Sequence, residues 1–439
     1  MKTYGTIVFI LTIFICKALS QNNLAWKVLS NSPLLTSRYE DISFIDPQNG
    51  WAVSGTPSLI QTTDGGDTWS QLNIAPPFDN IYMRTVRFIN HSTGFIGTLS
   101  SDHPLVMTTD GGETFSDVNI SGKKPNRICG LNSYHQNIYG VGAYDGFPTF
   151  IKSVDSGKTW IGIDMSAYAF SLVDCYFFSD SVGLAVGSAD GTTFYDGNSI
   201  VLRTTDQGQN WTRVYQSTRT GEWGWKLFFF NASIGYVSLE VARNSDKPAY
   251  YLKTKNQGLT WGDNFFLDSY DEEGIGFATE SLGWIGGWTG PTYQTTNRGK
   301  TWSKFELSDS MKNLNRVRKI NDTLMYAAGV QIFKYAPVIP TFVENQDKNL
   351  PESFQVFQNF PNPFNPSTTI KFELKQFSKV RVNIYNSVGQ FIESILDNPK
   401  PPGIYSLQWI PPKNLASGVY FYQVQAEHET ITKNMLYLK

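Results

Sequence analysis

Thr62-Thr-Asp-Gly-Gly-Asp-Thr-Trp69 is the first of six related octapeptides in the chain. The others are Thr108-Thr-Asp-Gly-Gly-Glu-Thr-Phe115, Ser153-Val-Asp-Ser-Gly-Lys-Thr-Trp160 and Thr204-Thr-Asp-Gln-Gly-Gln-Asn-Trp211, then Thr254-Lys-Asn-Gln-Gly-Leu-Thr-Trp261 and Thr295-Thr-Asn-Arg-Gly-Lys-Thr-Trp302. Their closing aromatic residues lie 46, 45, 51, 50 and 41 positions apart. Three features are shared. A Thr or Ser leads in, an Asp or Asn follows two places later (Asp64, Asp110, Asp155, Asp206, Asn256, Asn297), and a glycine sits two places beyond it (Gly66, Gly112, Gly157, Gly208, Gly258, Gly299). The Asp or Asn side chain accepts backbone N–H bonds across a turn. The glycine takes positive φ without steric cost. The terminal Trp69, Phe115, Trp160, Trp211, Trp261 or Trp302 opens an outer strand and offers an apolar face between neighbouring units.

Working outward, each spacer repeats one pattern. Asp41-Ile-Ser-Phe-Ile-Asp, Gly50-Trp-Ala-Val and Leu59-Ile-Gln precede the first octapeptide, and Val86-Arg-Phe-Ile-Asn, Gly94-Phe-Ile-Gly and Leu105-Val-Met precede the second. Three short strands before the turn and one after it, at this period, describe a four-stranded blade of a β-propeller. Arg316-Val-Arg-Lys-Ile, Leu324-Met-Tyr-Ala-Ala-Gly and Gln331-Ile-Phe-Lys-Tyr supply three further strands with no octapeptide. Ala25-Trp26-Lys-Val-Leu29 has the character of the missing fourth strand, and Trp26 precedes Trp69 by 43 positions. An N-terminal strand that completes the last blade closes the ring and removes a sheet edge. The expectation is an all-β chain with seven blades.

Composition agrees. The 439 residues are 41% hydrophobic, 15% aromatic and only 17% charged, so the chain has apolar surface to bury and is not of the disordered class. Lys+Arg 36 against Asp+Glu 38 gives a net charge of −2, which lacks the basic excess of a nucleic-acid binder.

The octapeptides resemble the Asp-box, or bacterial neuraminidase repeat, of sialidase-like propellers, and the run over residues 24–336 looks most like the photosystem II assembly and stability factor type of repeat. The resemblance implies the fold more firmly than the activity, because propellers host many functions. A photosystem role does not fit an exported protein, and the two ends of the chain both point to export.

Residues 1–20 combine Lys2, the apolar run Ile7–Cys16 and the small-residue close Ala18-Leu19-Ser20 of a secretory signal. Ten apolar residues are too few to span a bilayer, and Ile15 stands where lipidation at Cys16 requires a small residue. The mature chain is expected to have no membrane span. It keeps Cys129 and Cys175, either as buried thiols or, in an oxidising compartment, as a disulfide.

Residues 21–338 make the propeller, 339–355 read as a polar linker, and 356–439 form a small β-sandwich of Gly- and Pro-punctuated alternating strands. Asn359-Phe-Pro-Asn-Pro-Phe-Asn-Pro366, Tyr385 with Gly389, Leu415-Ala-Ser-Gly418 with Val419-Tyr420, and Lys439 closely resemble the C-terminal sorting domain of the type IX secretion system of the Bacteroidetes and related bacteria. That resemblance implies passage across the outer membrane, with the secretion machinery as one partner.

Chemical motifs are few. A calcium loop needs alternating oxygen ligands and a closing Glu, whereas Asn256 and Asn297 replace Asp and no such Glu follows. His91, His103, His135 and His428 are not at metal-ligand spacing. Gly140-Val-Gly142 with Gly146 is one residue too long for a dinucleotide fingerprint, and no Gly-x-Ser-x-Gly elbow occurs. No cofactor is expected. Sialidase-like enzymes need an early Arg-Ile-Pro type motif, which is missing after Gln21, and xyloglucanase-like enzymes of this repeat type use two propellers where one fits here. The reading is a secreted, non-catalytic binding or scaffold protein with a surface protein or glycan as partner. The alternative is an extracellular glycosidase on the same propeller. Loops between second and third strands lie opposite the octapeptides, so Tyr144, Asp145, Arg243 and Trp288 are the ligand-contact candidates.

Overall fold

The computed structural model describes residues 24–439 except positions 36, 57, 144, 192–195, 242–246, 269–270, 289, 308–309, 338–353, 401, 413–414 and 428. The proposed signal peptide, nearly all of the linker, and His428 lie outside the described residues. Two compact units are present, Met1–Ile339 and Pro340–Lys439. The described elements are all strands.

Unit 1 contains seven sheets, numbered here in chain order. Sheet 1 is Tyr39–Phe44, Gly50–Ser54, Ser58–Thr62 and Ser70–Leu72; sheet 2 is Met83–Phe88, Gly94–Thr98, Leu105–Thr108 and Ser116–Asp117. Sheet 3 is Gly130–Tyr134, Asn137–Gly142, Thr149–Ser153 and Trp160–Asp164. Sheet 4 is Ser171–Phe177, Gly183–Ser188, Ser199–Thr204 and Thr212–Gln216; sheet 5 is Glu222–Phe229, Gly235–Val241, Ala249–Thr254 and Gly262–Leu267. Sheet 6 is Glu272–Phe277, Gly283–Gly287, Tyr293–Thr295 and Ser303–Lys304; sheet 7 is Arg316–Asn321, Leu324–Ala328 and Ile332–Pro337. The N-terminal strand Leu24–Val28 completes sheet 7, pairing antiparallel with Ile332–Pro337 so that Trp26 lies opposite Tyr335. Sheet 3 carries a fifth strand that the repeat pattern does not announce: Ile120–Gly122 pairs parallel with Trp160–Asp164. The first strand of each sheet touches the first strand of the next, and Arg316–Asn321 returns to Tyr39–Phe44.

Stacked aromatic pairs join successive sheets. Trp51 lies 3.8 Å from Phe88, Tyr139 3.5 Å from Phe177, and Tyr236 3.8 Å from Phe277. Tyr326 of sheet 7 stacks at 3.8 Å on Phe44 of sheet 1, so the first and last sheets share the kind of contact that joins these pairs. Such pairs contribute about 0.5–1.5 kcal/mol beyond area burial.

The octapeptides form six near-identical turns. In the first, Thr62 Oγ1 donates to Asp64 Oδ1 at 2.8 Å, and Thr68 donates from its backbone N at 2.9 Å and its Oγ1 at 2.6 Å to the same carboxylate. The Gly66 N–H in turn donates to Thr62 Oγ1 at 2.8 Å. Asn256 repeats this neutrally, accepting from Thr254 Oγ1 at 2.9 Å and Thr260 N at 3.0 Å while its own Nδ2 donates to Thr260 Oγ1. Hydrogen bonds from Thr68 hold Asp64 near pKa 2, against the upward push of desolvation. The residue before each fixed glycine also has positive φ, including Ser156, Gln207, Gln257 and Arg298. The glycine itself is dictated from outside the turn as well: a Cβ at Gly157 would overlap the Phe95 ring of sheet 2. The closing indole then packs across the same seam, Trp160 edge-on to Phe95 at 5.4 Å and Trp211 to Phe150 at 5.2 Å.

Unit 2 has a three-stranded sheet in the order Gln355–Val356, Thr368–Leu374, Gly403–Trp409, and a four-stranded one in the order Phe391–Lys400, Ser378–Asn386, Gly418–Ala426, Glu429–Tyr437. Both contribute to one apolar cluster, with Ile370 and Phe372 from the first and Val382, Ile384, Tyr422 and Val424 from the second. The long outer strand Phe391–Lys400 is absent from the sequence reading because its residues are mostly half-buried or exposed and lack alternation. The Asn-Pro-rich opening segment is sewn to the last strand: Phe364 N donates to Leu436 O and Leu438 N to Phe364 O, both at 3.0 Å.

Candidate functional site

Register shows which ends of the strands lie together. Tyr39 pairs with Ser54 and Phe44 with Gly50, while Gly50 pairs with Thr62 at the octapeptide end. The starts of the inner strands therefore share an end with the loops that follow the second strands. At this end the inner strands of sheets 1, 2, 4, 5 and 6 each slip register by one residue: at Glu40, Arg84, Val173, Trp225–Lys226 and Glu273. A bulge re-aims side chains that strict alternation would send to opposite faces. Five such bulges bring charged residues from separate sheets into one buried cluster.

Glu40, fully buried, is the hub of one half. It accepts from Arg38 Nε at 3.0 Å, Tyr82 OH at 2.7 Å and Asn315 Nδ2 at 2.9 Å, and it pairs with Arg84. Arg38 also pairs with Glu273 of sheet 6. Burial pushes the Glu40 carboxyl upward, but Arg38 and Arg84 outweigh it and hold the group near pKa 2. The other half centres on Arg316 of sheet 7, only 1% exposed. Its NH1 and NH2 donate to Asp174 of sheet 4 at 2.6 and 3.1 Å, and Asp41 of sheet 1 lies 3.1 Å from its Nε. Asp41 further accepts from Arg318 NH2 at 3.0 Å and Thr85 Oγ1 at 2.7 Å. Desolvation raises the Asp41 and Asp174 carboxyls, and the neighbouring guanidiniums bring both below the ordinary carboxylate range.

The carboxylates also serve the bulged backbone. Asp174 Oδ2 accepts from Leu227 N of sheet 5 at 2.9 Å, and Glu272 Oε1 accepts from Leu239 N at 2.7 Å. Among the described residues Glu272 hydrogen-bonds no cation, and burial drives its pKa well above the usual value. Among the described residues no group of three or more His, Cys, Asp or Glu side chains is placed to hold a metal. Cys129 and Cys175 are both buried and not joined by a disulfide.

Of the four loop candidates, Tyr144 and Arg243 lie outside the described residues. Asp145 pairs with Arg127 on the surface. Trp288 is half-buried, with the Arg38 guanidinium of the charged cluster over its ring at 4.1 Å from centroid to Cζ. A separate hollow beside the inner strand of sheet 5 is lined by Arg219, Thr220, Glu222, Val241, Lys247 and Pro248. Arg219 there donates to Glu222 and, at 3.2 Å, to Asp263, and lies 4.1 Å over the Tyr250 ring. The sequence reading missed the central cluster altogether. Its only signal was a charged residue in otherwise apolar inner strands, as in Asp41-Ile-Ser-Phe and Arg316-Val-Arg.

Residues 19–137 match the sequence model of the family described as Photosynthesis system II assembly factor YCF48, and residues 358–437 match that of the Secretion system C-terminal sorting domain. The chain is 28% identical over 304 residues to the Photosystem II assembly lipoprotein Ycf48 of Nostoc sp., covering 68% of this chain and 82% of that protein. Among solved structures it resembles YCF48 bound to D1 peptide, with a TM-score of 0.53 and 18% identity over 72% of this chain and 98% of that one. It also resembles the GH74 xyloglucanase from Xanthomonas campestris, with a TM-score of 0.51 and 10% identity over 80% of this chain and 59% of that one. At these identities the structural likenesses establish a propeller-like all-β fold. The chain thus carries one segment, residues 19–137, that matches the assembly-factor family model and another, residues 358–437, that matches the C-terminal sorting domain.

Proposed function

We propose that this is an exported, non-catalytic binding protein: one seven-bladed propeller followed by an immunoglobulin-like sandwich that acts as a type IX sorting domain. In this reading residues 1–20 are a signal peptide, 21–338 the propeller, 339–355 a linker and 356–439 the sorting domain. The cyclic contacts of the seven inner strands support the blade count. The apolar cluster shared by the two sheets of unit 2 supports the sandwich. The sorting-domain match supports the route and a final position outside the outer membrane.

The fate of the central carboxylates carries the non-catalytic reading. Glycoside hydrolysis needs one carboxyl that gives a proton and a second that acts as base or nucleophile, both in reach of the sugar. Glu40, Asp41, Asp174 and Glu273 are instead each closed by an arginine. Glu272, whose raised pKa would suit an acid, is 0% exposed. The partner is a protein or glycan met at the cell surface, and a solved neighbour of this fold that holds a peptide favours a protein segment. The xyloglucanase likeness names the specific rival, a glycan-active enzyme.

The test is to incubate the purified full chain with a polysaccharide and sialoside panel, and separately with a surface fraction for capture. Saturable capture of a defined surface component without product release is expected. Hydrolysis abolished by one carboxylate substitution overturns the reading. For the tail, deletion of residues 350–439 is expected to leave the protein in the periplasm, and an unchanged extracellular yield refutes the sorting role.

A further inference from the structure

Four of the five inner-strand bulges are accounted for by what has been described. Glu40, Arg84 and Glu273 enter ion pairs, and Val173 is apolar and packs with Trp223 and Trp225. The bulge of sheet 5 is the exception. It presents two consecutive hydrogen-bond donors, Trp225 and Lys226, which are 5% and 2% exposed. Neither Trp225 Nε1 nor Lys226 Nζ has a hydrogen-bond partner among the described residues. An ammonium buried in this way is costly unless it is paired. The nearby acids cannot take that part: Asp174 is held by both arms of Arg316, and Asp41 by Arg316 and Arg318.

We propose that Trp225 and Lys226 form a binding site for a small inorganic anion of halide size, buried where the inner strands converge. The surroundings suit this chemistry. The donors project from one bulge, Lys226 Nζ lies 5.7 Å from the Trp225 ring centroid, and the Arg84 guanidinium lies 5.1 Å over the same ring. Val173 and Trp223 supply apolar walls, which favour a monovalent ion with a modest hydration shell over a phosphate or sulfate that needs many donors. The bound anion gives Lys226 the counter-charge that Arg84, the other bulge cation, already has in Glu40.

Binding is coupled to a proton. Burial lowers the Lys226 pKa, Arg84 and Arg316 lower it further, and Asp174 and Asp41 oppose them. Glu240 adds negative charge near Arg84. The anion is held by the charged lysine, so its apparent affinity falls as pH rises through the lysine's depressed range.

The test uses the full purified chain. Crystals grown in sodium bromide are expected to show an anomalous peak at hydrogen-bond distance from both Lys226 Nζ and Trp225 Nε1. In solution, bromide or chloride should raise the melting temperature relative to gluconate at equal ionic strength, the stabilisation growing as the logarithm of one plus the ratio of halide concentration to its Kd. Lys226→Met should abolish both effects, and its apolar stem keeps the fold. Trp225→Phe keeps the packing and should weaken the apparent affinity roughly fivefold, the loss of one hydrogen bond. A wild-type protein with no peak at the bulge, or halide stabilisation that survives in Lys226→Met, overturns the site. Bromide found only beside exposed lysines marks an adventitious ion only and does the same.

Discussion

The two ends of the seven sheets are built on opposite plans. At the octapeptide end, six turns repeat the same part-buried hydrogen bonds between residues close in the chain. At the other end the inner strands contribute differing sets of charged residues, Glu40 with Asp41 from sheet 1, Arg84 from sheet 2, Asp174 from sheet 4 and Arg316 from sheet 7, and the bonds run between sheets. Asp174 meets Arg316 across 142 positions, and Asn315 reaches Glu40 across 275. Repetition here marks the joints that every sheet needs, and variation marks the place where the sheets meet as individuals.

The comparison can be broken first at its most buried point. Arg316→Met removes the guanidinium whose two arms hydrogen-bond Asp174 and should destabilise the folded state by about 3–5 kcal/mol, read as a lower urea midpoint. A companion Asp174→Asn should recover part of that loss. If the single change moves stability by less than about 1 kcal/mol, the central cluster is not under tension and the contrast between the ends fails.

At the repeated end the largest effect is steric. Gly157→Ala meets the Phe95 ring and a positive φ of 87°, so it should lose about 1–3 kcal/mol while leaving ligand capture unchanged. A neutral result would show that the seam between sheets 2 and 3 yields easily.

Acidity sharpens the contrast. Glu40 has its folded pKa lowered to about 2 from 4.5, so its stabilising share is full above 4.5 and is lost as the pH falls toward 2. Glu272 runs the other way. Its folded pKa is raised, so its share is full below 4.5 and is lost as the pH climbs toward that raised value. Glu272→Gln should therefore raise the melting temperature at pH 8 by a few degrees and leave it unchanged at pH 4. A fall at pH 8 would mean that Glu272 is charged and paired.

The smallest change is expected in a single turn. Asn256→Ala loses the bonds to Thr254 and Thr260 and should cost about 1 kcal/mol in chemical denaturation. Asn256→Asp should cost less, since it restores the carboxylate found in four other turns.

Much of the first unit was legible because its decisive signals are local. Each octapeptide holds its lead-in hydroxyl, its accepting Asp or Asn and its glycine within a few residues, and Leu24–Val28 pairs with Ile332–Pro337 where the spacing of Trp26 led us to expect it. The parallel strand Ile120–Gly122 and the outer strand Phe391–Lys400 escaped because neither shows the alternation that marks a half-buried strand. The residues of the central cluster escaped for a related reason. Bulges at Glu40, Arg84 and Glu273 break the two-residue period from which a side chain's direction is read.

By itself the sequence determined the repeating sheet, its turn and the sorting tail, since each is encoded in neighbouring residues whose hydrogen bonds and rotational freedom are local properties. Only the tertiary structure decided which charges face one another. Ion pairing depends on distance in space, and ring closure sets that distance between strands far apart in the chain. The same closure decided that Lys226 is buried with no hydrogen-bond partner for its Nζ among the described residues and that the Arg38 guanidinium lies over the Trp288 ring.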